Sequence, residues 1–91
     1  MKDEVFVVLV RDENGGEAFV KDTLIDAIAL VKTAEASVVQ DIATFQSMKG
    51  MVGANKDLQL EVIKELERSN VYKFEEKNGK ECYIFYVPKG E

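Results

Sequence analysis

Reactive side chains are few in this 91-residue chain. It has one cysteine, Cys82, and no histidine. The usual zinc and copper sites need thiolate or imidazole ligands, and Ser-His and Cys-His nucleophile pairs need histidine, so the composition excludes all of these. A carboxylate site for Mg²⁺ or Ca²⁺ stays open in principle. Because no base or helix N-terminus near Cys82 would lower its pKa, we expect a structural thiol rather than a nucleophile.

The remaining candidates for chemistry are carboxylates and a glycine pair. Glu75, Glu76 and Glu81 cluster near the end of the chain, but a catalytic pair of acids needs burial or a shaped pocket. We expect these three residues to flank a hairpin tip, where water screens them. The pair Gly15-Gly16 lacks the Lys and the Ser or Thr of a P-loop, and a strand rather than a helix follows it. The sequence therefore predicts no enzyme, no cofactor and no metal.

The composition is that of one small globular domain, spanning residues 1–91, with 46% hydrophobic and 32% charged residues. The longest apolar run, Val5 to Val10, is too short for a membrane span or a signal-peptide core. A single cysteine forms no internal disulfide. These features predict a cytoplasmic protein without membrane contacts. Its net charge of -5 disfavours binding to a phosphate backbone and favours a protein partner.

Two β-hairpins are predicted, at about residues 4–21 and 71–87. The first has a turn over Asp12 to Gly16, and the second has Asn78-Gly79, the pair that a type I′ turn prefers. Counting outward from Asn78-Gly79 sets Phe74 opposite Tyr83 and Tyr72 opposite Phe85. We expect this aromatic face to lie against the core. The opposite face would then carry Lys73, Glu75, Cys82, Ile84 and Tyr86.

Helices are predicted between the hairpins, giving an α+β fold with the helices packed on one face of the sheet. The segment 23–49 has an apolar stripe at helical spacing and begins at a capping box, Thr23 with Asp26. It is either one continuous helix or is broken near residues 35–37, because Ser37 to Gln40 repeats the capping pattern. The segment 56–69 is a further amphipathic helix. We expect Gly50 to end the preceding helix and a corner to run to Asn55.

Two resemblances to nucleic-acid-binding families accompany these elements. Gly50-Met51-Val52-Gly53 resembles the GXXG loop of KH domains, which clamps a nucleic-acid backbone, although no basic residue lies between these glycines. Residues 57–87 resemble the last third of a winged-helix domain, in the order helix, strand, Asn-Gly tip, strand. That resemblance implies a recognition helix at 56–69 and a wing at 73–84. The implied nucleic-acid contacts are Lys56, Lys64, Arg68, Lys73, Lys77 and Lys80.

The apolar stripe of 23–49 predicts a partner. One continuous helix of this length would reach about 40 Å, farther than so small a domain, and its overhang would call for a partner, most simply a second copy. We therefore expect a small non-catalytic interaction or regulatory protein acting as a homodimer, of the kind that phages, plasmids and accessory operons encode. A winged-helix transcriptional regulator is the alternative. The predicted partner surface comprises Val38, Ile42, Phe45, Met48, Met51, Val52, Ile84 and Tyr86.

Overall fold

The two hairpins share one antiparallel sheet in the computed structural model, which describes residues 4–36 and 41–88. The strand order is β2-β1-β4-β3, so the first and last long strands pair at the centre. This confirms the predicted α+β class. The elements are β1 (Glu4–Asp12), β2 (Gly15–Lys21), α1 (Leu24–Ala36), α2 (Ile42–Ala54), α3 (Lys56–Ser69), β3 (Val71–Lys73) and β4 (Glu81–Pro88).

Both hairpin turns follow from local chemistry. The Asp12 carboxylate accepts a hydrogen bond from the Asn14 N–H at 2.9 Å, and Gly15 takes a φ of 127°. At the second tip Asn78 and Gly79 have φ values of 54° and 75°. Two successive residues in the left-handed region are what a type I′ turn requires. The prediction for Asn78-Gly79 is therefore confirmed.

The predicted facing of the second hairpin was wrong for β4, whereas Tyr72 and Phe74 pack against the core as predicted. Lys77 pairs with Lys80 next to the tip, but farther along Lys73 pairs with Tyr83. Residues 74–76 therefore lie opposite only residues 81–82. This extra residue is a bulge, and a shift of one residue exchanges the two faces of a strand. As a result Cys82, Ile84 and Tyr86 face the helices, while Tyr83 and Phe85 point away from them.

The long segment 23–49 is broken into two helices. The Thr23 hydroxyl accepts a hydrogen bond from the Asp26 N–H at 3.1 Å, which confirms the predicted start of α1. Asp41 is extended (φ -104°, ψ 174°) and is the N-cap of α2, where its carboxylate accepts from the Thr44 N–H at 2.7 Å. This hydrogen bond lowers the pKa of Asp41. The capping pattern predicted at Ser37 to Gln40 lies outside the described residues.

Because the segment 23–49 is broken into two helices, its apolar stripe no longer supports the predicted dimer. Helix α2 folds back and packs against α1 instead of extending it. Helix α1 is buried on nearly all sides, since Ile28, Val31 and even Thr33 have no exposed surface. The stripe therefore closes a single core and leaves no overhanging helix.

Helix α2 continues through Gly50 and Gly53 to Ala54, so the predicted end at Gly50 was wrong. Neither glycine takes a positive φ. Asn55 alone separates α2 from α3: its N–H donates to the Val52 carbonyl at 3.0 Å, and its side chain accepts from the Leu58 N–H at 3.1 Å. The GXXG resemblance requires a loop, and this segment is a helix. Helix α3 has the predicted bounds.

The core lies between the helices and one face of the sheet. Val8 and Ile84 of the central strands meet Ile28 of α1 and Val62 of α3. Phe19, Tyr72 and Tyr86 close its margins. Because inward and outward side chains alternate along each strand, the same pairing displays a second set of residues on the other side.

Candidate interaction surface

The sheet face that points away from the helices is apolar. Phe6, Val8, Cys82 and Ile84 are buried beneath the helices, so the residues that alternate with them point outward. We name this surface the open face. Its apolar residues are Val5, Val7, Leu9, Ala18, Val20, Val71, Tyr83, Phe85 and Val87.

The centre of the open face is a compact cluster from β1 and β4. Val7 lies opposite Phe85, and Leu9 lies opposite Tyr83. The rings of Tyr83 and Phe85 stack with their centroids 6.1 Å apart and their planes at 22°. The central side chains shield one another and are half-buried, whereas Val20 on the edge strand is 64% exposed. No helix among the described residues packs on this side.

Charges on the open face lie at one end. Arg11 pairs with Glu81 across the strands, with 4.0 Å between the guanidinium and the carboxylate. The Lys73 ammonium lies 5.9 Å from the centroid of the Tyr83 ring. Two basic residues and one acidic residue give this face a positive balance in a chain whose net charge is -5. The acidic excess therefore lies away from the open face, on the helices, the turns and the helix-side positions of β1 and β2.

Only some residues of the partner surface predicted from the sequence are exposed. Ile42 and Met51 are 82% and 65% exposed on α2, whereas Val52 and Ile84 belong to the core. The other described members, Phe45, Met48 and Tyr86, pack against the core, and Val38 lies outside the described residues. Lys49, the one charged residue of α2, forms an ion pair with the half-buried Asp26 carboxylate at 3.0 Å.

The basic residues expected to contact nucleic acid are dispersed. Lys56 and Arg68 lie near opposite ends of α3, about 18 Å apart at 1.5 Å per residue. Arg68 is bonded to the Glu65 carboxylate at 2.6 Å. Lys73 lies on the open face, and Lys64 lies in the middle of α3. Lys77 and Lys80 lie at the hairpin tip.

The hairpin tip is attached to the body of the protein. The Asn78 side-chain amide donates a hydrogen bond to the backbone carbonyl of Glu35, near the end of α1. At the other end of the hairpin, the Tyr72 hydroxyl on β3 donates to the Glu61 carboxylate at 2.7 Å. A tip held in this way differs from a freely projecting wing.

The residues considered for chemistry are not assembled into a reactive site. Cys82 has no exposed surface, and burial, with the Glu35 carboxylate nearby, raises the pKa of its thiol to about 11. Glu75 and Glu76 are exposed, while Glu81 faces Arg11. Across residues 4–36 and 41–88, no group of three or more Cys, Asp and Glu side chains is placed to hold a metal ion.

One groove lies on the helical side of the molecule. It has a volume of about 590 Å³ and is lined by Phe6, Leu24, Ile63 and Tyr86, among others. Acidic residues, including Asp22 and Glu67, stand on its rim. Within the described part of the chain, no helix is both long and apolar enough to cross a membrane.

Sequence reasoning missed the open face, although a signal for it was present. The run Val5 to Val10 is apolar at both odd and even positions, as is the segment from Cys82 to Val87. Apolar residues on both faces indicate a strand that is covered on both sides.

Comparisons with protein-family models, with curated proteins and with solved structures found no match.

Proposed function

We propose that this chain is a small non-catalytic protein that acts through protein–protein contacts, and that the open face is its binding surface. The observation that supports the proposal is the apolar character of a whole sheet face that none of the described helices covers. Contiguous apolar patches larger than a few hundred Å² are uncommon on monomeric proteins and mark interaction sites. The central aromatic pair, Tyr83 and Phe85, has the composition of an interface hot spot.

The proposal includes a regulatory role in the cytoplasm, as in the accessory proteins of phages and plasmids. Small size, a single buried thiol and an acidic net charge support it. A single buried cysteine forms no internal disulfide, so the fold has no need of an oxidising compartment.

Site-specific photo-crosslinking in the native host tests the proposal. A photoreactive phenylalanine analogue replaces Val20 on the open face, and a matched control replaces Leu60 on α3, because the two side chains are 64% and 57% exposed. We expect position 20 to give discrete protein adducts that position 60 does not. The absence of adducts at position 20, or an identical pattern at both positions, would contradict the proposal.

Nucleic-acid binding is the second candidate, because α3 is followed directly by a hairpin that carries Lys73, Lys77 and Lys80. The acidic residues of α3 and the attached hairpin tip weigh against it. A gel shift with duplex DNA at low salt, weakened by Lys77→Glu with Lys80→Glu, would support this candidate. No shift with DNA from around its own gene would remove it.

A further inference from the structure

We propose that the open face binds a second copy of this chain, so that two sheets pack face to face about a two-fold axis. This inference rests on the proposed function and names its partner. The contact differs from the helical dimer surface expected from the sequence. Its centre is the cluster of Val7, Leu9, Tyr83 and Phe85 on the two central strands.

The shape of the face favours another sheet over a helix. Four strands about 4.8 Å apart make a surface about 19 Å wide. A single α-helix has a diameter of about 10 Å and would cover only half of that width. Two sheets pack face to face at a distance of about 10 Å with their strands nearly aligned, which covers the full width. The second copy presents a sheet of matching width and apolar composition.

The charge distribution favours contact between the open faces of two copies over contact between their other, acidic surfaces. On the outward positions of the four described strands, Glu81 is the one acidic residue, and Arg11 is its partner. Two chains with a net charge of -5 repel each other least when these faces meet, because the acidic excess then points outward. At its charged end, each copy presents the basic Arg11 and the acidic Glu81 to its partner.

The area available suits a dimer of moderate affinity. Strands β1, β2, β4 and β3 contain 9, 7, 8 and 3 residues, and at about 3.3 Å per residue and 4.8 Å per strand they give a footprint of about 400 Å². The accessible area is larger because the side chains stand out of the plane. The footprint is about half of the roughly 800 Å² per partner that specific interfaces bury. We therefore expect dissociation in the micromolar range.

Sedimentation equilibrium from low micromolar to millimolar protein tests the inference. We expect a transition from monomer to dimer, and Phe85→Lys should raise the dissociation constant at least tenfold. Leu60→Lys, which adds the same charge to exposed α3, should leave it unchanged. Circular dichroism verifies that each variant is folded. A wild-type chain that is monomeric at millimolar concentration would overturn the inference.

Dilution of isotope-labelled wild-type protein, followed by NMR, provides a measurement that needs no variant. We expect concentration-dependent amide shifts at Val7, Leu9, Tyr83 and Phe85. Shifts confined to α2, around Ile42 and Met51, or to the outer edge of β2 would place the dimer elsewhere and overturn the inference.

The crosslinking experiment separates failure of this inference from failure of the proposed function. A strictly monomeric chain whose position 20 crosslinks a different host protein would refute the second copy and leave the binding function standing. A monomeric chain without adducts at position 20 would refute both. An adduct with twice the mass of the chain would support both.

Discussion

Cys82 shows how its surroundings decide what a reactive residue type can do. Its side chain is fully buried between β4 and the helices. The thiol pKa is raised from 9.0 to about 11. The main cause is removal of the thiolate from water, and the second cause is the negative charge of Glu35. At neutral pH the thiol is protonated, and a protonated thiol is neither a nucleophile nor a metal ligand. Cys82 is therefore a core residue.

The raised pKa of Cys82 predicts a loss of stability at alkaline pH. Below pH 9 both the folded and the unfolded state keep the proton, so this group gives no pH dependence. Above pH 9 the unfolded state releases the proton first and is favoured, until the folded state also ionises near pH 11. Two pKa units correspond to at most about 3 kcal/mol. We expect the free energy of unfolding to fall across this interval.

Urea denaturation between pH 8 and 11 measures this loss, and Cys82→Ala provides the control. The Tyr72 hydroxyl adds a decline in the same direction, since burial and its bond to Glu61 raise its pKa to about 12. That decline is common to both proteins, so the difference between their stabilities isolates the thiol. The advantage of the wild type over Cys82→Ala should shrink as the pH rises. A constant difference through pH 11 would contradict the prediction.

Helix α2 is the element whose local sequence disagrees most with its structure. Glycine in a helix interior is less favourable than alanine by about 1 kcal/mol, and α2 contains two. The helix persists because Phe45, Met48 and Val52 pack against the core on its inner side. A Cβ atom at Gly50 or Gly53 would meet no atom within 4 Å. Neither backbone conformation nor space requires these glycines.

Alanine at Gly50 is therefore expected to stabilise the protein. Gly50→Ala should raise the free energy of unfolding by about 0.5 to 1 kcal/mol, because alanine loses less backbone entropy on folding. Gly79→Ala is the matched control: Gly79 has a φ of 75°, where a Cβ is strained, and the same substitution should destabilise. Thermal and urea denaturation of both variants give the comparison. Destabilisation by Gly50→Ala would show that the glycine has a structural role.

The whole molecule has two layers, helices and sheet, and the described helices leave the open face of the sheet uncovered. The helices cover a single face of a four-stranded sheet, while β1 and β4 carry apolar residues on both faces. A chain that buries this second face by self-association links its stability to its concentration.

The proposed dimer predicts that the melting temperature rises with protein concentration. A hundredfold increase should raise it by about 5 °C or more in a domain of this size, because dimers contain only folded chains. Phe85→Lys should weaken the dependence, and Leu60→Lys should retain it. Differential scanning calorimetry at several concentrations measures the effect. A melting temperature independent of concentration in the wild type would contradict self-association of the folded state.

The local elements of this protein follow from signals between neighbouring residues. Asn78-Gly79 specifies its turn through left-handed backbone angles, and the Thr23 cap begins α1 within one helical turn. The apolar periodicity of 56–69 predicted α3 with its observed bounds. Each of these signals acts between residues that are close along the chain, so the reasoning needed no knowledge of distant contacts.

The surfaces that meet in the fold are set by contacts between residues far apart in the chain. The pairing of β1 with β4 joins residues about 80 positions apart, and no local pattern specifies such a contact. The bulge at residues 74–76 reverses the faces of β4, since a single extra residue exchanges inward and outward side chains. Helix α2 remains helical at Gly50 and Gly53 because it packs against α1. The open face thus became visible only once the helices were placed on the other side of the sheet.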